Sequence, residues 1–227
     1  MSNSEQEQFN KAEHFYFGHE EIALGGPTSQ SLINDPKHIV FALSRYKFCA
    51  RMLEGKRRVL ELGFGDGIGL PLIAGQAEHV YAVDRESMAR ESVERRLGKY
   101  LTNVTFMETD PTAAPLDLEV DAAFSIDFLE HIPPEKETFL MRNIVQCLPE
   151  DGVLVTGTPN ISAQAHASHS SRIHHVNLKS PESLRDLMEQ YFDNVFIFGM
   201  NDEVLHTGFG AMCHYLWSVA AGVKRGG

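Results

Sequence analysis

The side chains best suited to chemistry gather in Ser125-Ile126-Asp127-Phe128-Leu129-Glu130-His131-Ile132, just ahead of Pro133-Pro134. On a helical turn, Asp127, Glu130 and His131 stand at i, i+3 and i+4, a spacing that brings side chains onto one face. Two carboxylates and an imidazole so gathered form a donor set for a divalent cation. The oxygens suit magnesium or manganese, and the imidazole shifts preference toward manganese, iron or zinc. A further ligand has to come from elsewhere, and the histidine-rich run holding His166, His169, His174 and His175 supplies candidates, with His175 preferred and His174 next. A cation held there would lower the pKa of an acceptor hydroxyl. Without one, His131 or a loop histidine serves as a general base, because imidazole titrates near neutral pH. The plain structural alternative is that Glu130 and His131 brace the turn.

A second group precedes the first. In Val59-Leu60-Glu61-Leu62-Gly63-Phe64-Gly65-Asp66-Gly67, three glycines alternate where an apolar strand gives way to a helix. Glycine has no Cβ and accepts positive φ, so main-chain N–H groups and a helix N-terminus can approach a nucleotide-like ligand closely. The dinucleotide pattern GxGxxG fails, since its third glycine would fall on Ile68. Asp84 closes the run Val80-Tyr81-Ala82-Val83-Asp84, 23 residues after Glu61, where a carboxylate can accept both hydroxyls of a ribose.

These groups need a frame. From Lys56 onward, short Val/Ile/Leu-rich runs alternate with helical segments, which predicts an α/β fold, a Rossmann-like doubly wound sheet. Seven strands are expected, at 58–61, 79–83, 104–108, 121–125, 152–158, 195–199 and about 211–218. The last is expected to be antiparallel, because 200–210 is too short for a parallel crossover. Residues 1–55 read as an N-terminal helical cap with a helix at 36–53, and 56–227 as the main domain with a lid-like insertion at 160–180. Phe9, Phe15, Tyr16, Phe17 and Tyr46 in the cap, and Asn201, Asp202 and Glu203, are candidates to shape an acceptor pocket. Aromatics at helical spacing more often pack than bind.

The ExGxGxG loop, the acid ending the next strand and a later acid in Met107-Glu108-Thr109-Asp110 resemble, in that order, the class I S-adenosylmethionine-dependent methyltransferases over about residues 55–220. The resemblance implies S-adenosylmethionine as cofactor. Gly63, Gly65 and Gly67 would line its methionine and ribose, Asp84 would hold the ribose hydroxyls, and Asp110 would meet the adenine amino group. Glu61 and Asp127 count with the cofactor-binding residues, and Arg85 stands where the family often has an apolar residue against adenine. The Asp127–His131 segment and the strand ending Thr158-Pro159-Asn160 are similar to those of ubiquinone-biosynthesis O-methyltransferases, as is the same segment to that of small-RNA terminal 2′-O-methyltransferases, with Asp127 in place of the more usual glutamate. This likeness implies His131 and Asp127 as catalytic residues, a cation on Asp127, Glu130, His131 and His175, and O-methylation of a small hydroxylated metabolite. Metal-free N-methylation and a non-catalytic S-adenosylmethionine-binding regulator are the alternatives.

The bulk composition bounds these readings. A chain of 227 residues with 43% hydrophobic content buries a continuous core unaided. A formal net charge of −11 opposes attraction to nucleic acid or an anionic membrane, which leaves a small-molecule acceptor as the expected partner. Cys49, Cys147 and Cys213 form no CxxC pair, and no apolar run of about 18 residues is present, so a reducing cytoplasm is expected.

Overall fold

The computed structural model describes residues 3–225. Three helices come first, α1 (Asn3–Phe17), α2 (Gly26–Asn34) and α3 (Lys37–Met52), followed by β1 (Arg58–Leu62), α4 (Leu70–Ala74), β2 (His79–Asp84), α5 (Ser87–Leu97), β3 (Val104–Glu108) and β4 (Ala122–Ile126). Then come α6 (Pro134–Cys147), β5 (Val153–Pro159), α7 (His169–His174), α8 (Pro181–Glu189), β6 (Phe192–Asn201), β7 (Val204–His206) and β8 (Tyr215–Val223). The strands form one sheet in the order β3-β2-β1-β4-β5-β8-β6-β7, parallel from β3 through β5 and antiparallel beyond.

The inner strands are apolar on both faces because helices cover both. All five residues of β4 are buried, as are four of the five in β1. Burial on both sides of the sheet explains the near-continuous apolar runs. Leu60 and Leu62 point into a core shared with Leu140, Met141 and Ile144 of α6 and Leu184 and Met188 of α8. Val59 points to the opposite core with Tyr46 and Cys49 of α3, Val93 of α5 and Trp217 of β8.

The sheet reverses its order of addition at β1, which pairs with β2 on one side and β4 on the other. At such a switch point the loops leaving two neighbouring strands part and open a crevice beyond their carboxyl ends. Here those loops begin at Gly63 and Asp127.

The doubly wound fold with antiparallel closing strands is as expected, with one strand more. The connection read as 200–210 contains β7, which forms a hairpin with β6 over a turn where Asp202 has φ 51°. Residues 210–212 make a 3₁₀ turn, so the last strand starts at Tyr215. The expected helical turn at Asp127 is also corrected. Asp127 is left-handed at φ 52°, and only Leu129–His131 coil, as a 3₁₀ turn, before Pro133 and Pro134 start α6. Asp127 therefore does not share a helix face with Glu130 and His131. Among the described residues, no helix is long and apolar enough to cross a membrane.

One buried amide fixes the segment after β3. Asn143 of α6 donates to the carbonyls of Pro111 (3.0 Å) and Ala114 (2.7 Å) and accepts from the Leu116 N–H at 2.7 Å. Asn143→Ala strands those backbone groups and is expected to cost about 3 kcal/mol. Urea unfolding checks this, with a lowered midpoint and an unchanged slope.

Candidate cofactor and acceptor site

The turn after β1 holds Gly63, Gly65 and Gly67 at φ 77°, 54° and 73°, a region that L side chains avoid. Gly63 is constrained twice, because a Cβ there would lie 2.5 Å from the Phe128 ring. The Gly65 N–H donates to Asp84 Oδ2 at 3.1 Å, and Asp84 Oδ1 accepts the Glu86 N–H at 3.0 Å. Asp66 faces the other way and accepts the Thr28 N–H at 2.8 Å, so α2 sits on the loop. A cleft of about 190 Å³ opens beside it, lined by Gly63, Asp84, Arg85, Asp110, Phe128 and His131 among others. Asp110 accepts the Thr112 N–H (2.8 Å) and hydroxyl (2.6 Å). Partial burial raises its pKa, but these bonds and Lys136 outweigh it and hold the carboxyl below its usual range. Arg85 pairs with Glu86 at 3.1 Å.

Glu61 lies buried at the end of β1. Its Oε1 accepts the Tyr46 hydroxyl at 2.7 Å, while its Oε2 is buried without a partner. Burial pushes its pKa up to about 8, opposed by the Tyr46 bond and aided by the Asp84 charge.

A larger cavity of about 570 Å³ lies on the far side of His131, which lines both spaces. Its walls are His38 and Arg45 of α3, Asp127 and Glu130 after β4, Asn160 after β5, Gln164, His166, Ser171 and His175 of the 160–180 segment, and His214 and Tyr215 at β8. The segment is docked by its far end. The Glu130 carbonyl accepts the N–H groups of Val176 (2.8 Å) and Asn177 (3.0 Å), and Asn177 donates to Glu137 at 2.8 Å. His175 is thereby set against His131, with ring centroids 5.1 Å apart.

Glu130 is fully buried. Thr158 donates to its Oε2 at 3.0 Å, and its Oε1 has no hydrogen-bond partner, lying 4.0 Å from His131 Nε2. Burial, then the Asp127 charge, push its pKa to about 8. His131 Nδ1 lies 3.1 Å from the His174 carbonyl, which can only accept, so Nδ1 carries the proton and Nε2 is left for other work. His175 Nδ1 is buried and unpartnered. Ligand atoms of Glu130, His131 and His175 all lie within 4.8 Å of one another.

Asp127 does not join that group. Its Oδ2 accepts from Arg45 Nη1 at 2.6 Å, and the buried guanidinium stacks 3.8 Å over the Tyr215 ring. A carboxylate so held is a salt-bridge partner facing the larger cavity, which corrects the four-ligand expectation: the spacing argument required a helix that the left-handed Asp127 prevents. Tyr46 is packing rather than an acceptor contact, edge-on to Phe124 in the core. Phe9 and Phe15 are exposed, and the Tyr16 and Phe17 side chains lie outside the described residues. Asn201 accepts the His214 N–H at 3.1 Å, and neither it nor Asp202 nor Glu203 lines either space. Arg45, Phe128 and His214 carry no sequence signal of a site, and His38, which reads as an ordinary surface histidine, lines the larger cavity. Arg45 sits on a separate helix, and only the third dimension brings it to Asp127.

A family model described as a methyltransferase domain matches residues 38–192. The chain belongs to that family. It is 33% identical over 105 residues to a probable S-adenosylmethionine-dependent methyltransferase of Mycobacterium tuberculosis (strain CDC 1551 / Oshkosh), covering 46% of this chain and 36% of the relative. It is 32% identical over 126 residues to the protein-L-isoaspartate O-methyltransferase of Saccharophagus degradans, covering 50% and 51%. With 36% and 51% of those relatives covered, the chain spans about a third to a half of their length. Among solved structures, the N-methyltransferase NodS from Bradyrhizobium japonicum WM9 in complex with S-adenosyl-l-homocysteine superposes with a TM-score of 0.62 at 17% identity, covering 84% of this chain and 90% of that one. That likeness is one of methyltransferase fold.

Glu61 makes stability depend on pH. Its folded pKa near 8 exceeds the ordinary 4.5, so between those values the folded state binds more protons and stability falls as pH rises. Glu61→Gln is expected to remove that part of the slope between pH 5 and 8, measured by urea unfolding across the range, relative to wild type.

Proposed function

We propose that the protein is an S-adenosylmethionine-dependent methyltransferase that methylates a hydroxyl oxygen on a small acceptor. The observation that carries the reading is the position of His131, whose imidazole lines both the cleft beside the glycine loop and the larger polar cavity.

The residues of the cleft fit the cofactor. The positive-φ glycines leave room for backbone contact, the Asp84 carboxylate can accept ribose hydroxyls, and Asp110 remains an ionised acceptor. Glu61 Oε2, buried and unpartnered, offers an acceptor to an α-ammonium group. The cofactor supplies an electrophilic methyl group on sulfur, which passes to the acceptor oxygen as that hydroxyl loses its proton. His131 is oriented to take the proton, because the His174 carbonyl fixes Nδ1–H and turns Nε2 inward. Tyr215, Phe128 and Pro159 supply apolar surface that excludes water.

A second reading has a specific observation behind it. Glu130 and His175 each carry a buried, unpartnered atom, each offers a ligand atom within 4.8 Å of one from His131, and one oxygen and two nitrogens suit manganese, iron or zinc. A cation bound to these three would supply Lewis acidity that lowers the pKa of the acceptor hydroxyl. Asp127, held by Arg45, would act from outside that ligand set.

Calorimetric titration of S-adenosylmethionine into metal-stripped protein is expected to show binding that Asp84→Ala weakens about tenfold or more. Release of S-adenosylhomocysteine across a panel of hydroxylated acceptors is expected to fall about a hundredfold in His131→Ala. Failure of the wild type to bind cofactor sinks the proposal. Manganese titration separates the two readings: heat of binding that His175→Ala abolishes supports the cation, and its absence leaves His131 as a metal-free base.

A further inference from the structure

Lys179 closes the neck of the segment that walls the larger cavity. Its main chain pairs with Asn160, and its carbonyl accepts the Ile161 N–H at 2.9 Å, so the segment leaves and returns at one place. Its side chain is only 10% exposed, and the ammonium group pairs with Glu137 of α6, itself 16% exposed. Glu137 Oε2 also accepts from Asn177 Nδ2 at 2.8 Å. Lysine is rarely buried unless paired, because its charge must leave water. One carboxylate serving both donors is therefore an anchor and not a loose surface contact. Glu137 stands in the first turn of α6, which follows His131 through Pro133 and Pro134, whose rings fix φ. The anchor thus sets the segment against the same stretch that carries His131. Within the segment, the N–H groups of Ala167, Arg172 and His175 bond to the carbonyls of Gln164, Ser168 and Ser171, which shapes its turns without fixing its depth. Depth matters at the His174 carbonyl, 3.1 Å from His131 Nδ1.

Resting on the reading of His131 as the proton acceptor, we propose that Glu137 and Lys179 are positioning residues. Their ion pair holds the segment at the depth where the His174 carbonyl meets His131 Nδ1, and so keeps Nε2 free for the reacting hydroxyl. Neither residue lines the acceptor cavity or the cofactor cleft, so both act through His174. In a neutral imidazole one nitrogen carries the proton, and a carbonyl facing Nδ1 selects the Nδ1–H form. When the anchor is loosened the carbonyl withdraws. The ring then reverts toward Nε2–H, the form a free histidine side chain prefers in water, and that form has no lone pair at Nε2 to take a proton.

The test reads the ring directly. Long-range proton–nitrogen NMR of metal-free protein carrying isotope-labelled histidine, at about pH 8.5 where an ordinary imidazole of pKa about 6.5 is neutral, is expected to show His131 as Nδ1–H. Its signals are assigned by their loss in His131→Gln. Glu137→Gln keeps an acceptor for Asn177 but removes the charge that Lys179 needs. It is expected to turn His131 mainly to Nε2–H and to speed tryptic cleavage after the exposed Arg172 about tenfold. Lys179→Gln, the milder change should Glu137→Gln fail to fold, is expected to move both readouts in the same direction. Exchanging the charges, Glu137→Lys with Lys179→Glu, is expected to restore Nδ1–H, because the Asn177 amide can turn its oxygen toward the lysine. Asn143→Ala weakens the same helix away from the segment and should leave the tautomer as in wild type. If His131 stays Nδ1–H in Glu137→Gln or Lys179→Gln, or loses that form equally in Asn143→Ala, the proposal is overturned and His131 remains the base. Wild-type His131 in the Nε2–H form overturns both the proposal and that role for His131, while the cofactor titration decides the methyltransferase reading separately.

Discussion

Everything at the site depends on the reversal of strand order at β1. Because β2 is laid down on one side of β1 and β4 on the other, the loops after β1 and β4 leave side by side and open a gap that the sheet itself does not fill. The glycine turn and the Asp127–His131 turn form its two lips. Both turns require left-handed backbone, at Gly63, Gly65 and Gly67 on one and Asp127 on the other. Glycine accommodates this at no steric cost. Asp127 does so under constraint, with its N–H bonded to the Gly157 carbonyl at 3.1 Å and its carboxylate clamped by Arg45.

The helices ahead of β1 close this gap from outside the sheet. α2 rests on the glycine turn through Asp66, and Glu20 binds Lys99 and Tyr100 just beyond α5. α3 sends adjacent side chains to the ends of both central strands, Tyr46 to Glu61 and Arg45 to Asp127. In the larger cavity Asp127 is paired with Arg45 and Glu130 carries raised proton affinity, whereas Asp110 in the cleft is held below its usual range. Buried acids lacking a full set of partners work against stability. Their concentration at the two lips fits the general finding that binding sites retain strain a core would not.

How far this was legible varies with the range of the interactions involved. The strands at 58–61, 79–83 and 104–108 could be read because each is an apolar run bounded by turn residues, and the structure extends them by a residue or less at either end. The Val204–His206 strand was missed. It has three residues and an exposed first position, and only pairing with β6 makes it a strand. The Asp127 turn was misread because i, i+3, i+4 spacing is meaningful only on a helix, and the backbone there is set by the β4–β5 pair and by Arg45, 82 positions away in sequence.

The sequence by itself determined the alternating frame, the glycine turn and the acid at its partner strand, because backbone conformation and strand burial are encoded within a few residues of each position. It also held the donor types Glu130, His131 and His175. Only the tertiary structure decided which of them meet. His175 arrives through backbone bonds from Val176 and Asn177 to the Glu130 carbonyl, and Asp127 is diverted to Arg45. Tyr46 is turned from a candidate acceptor contact into the partner of Glu61. Such contacts join segments far apart in the chain, where no local spacing rule applies and packing alone selects the partner.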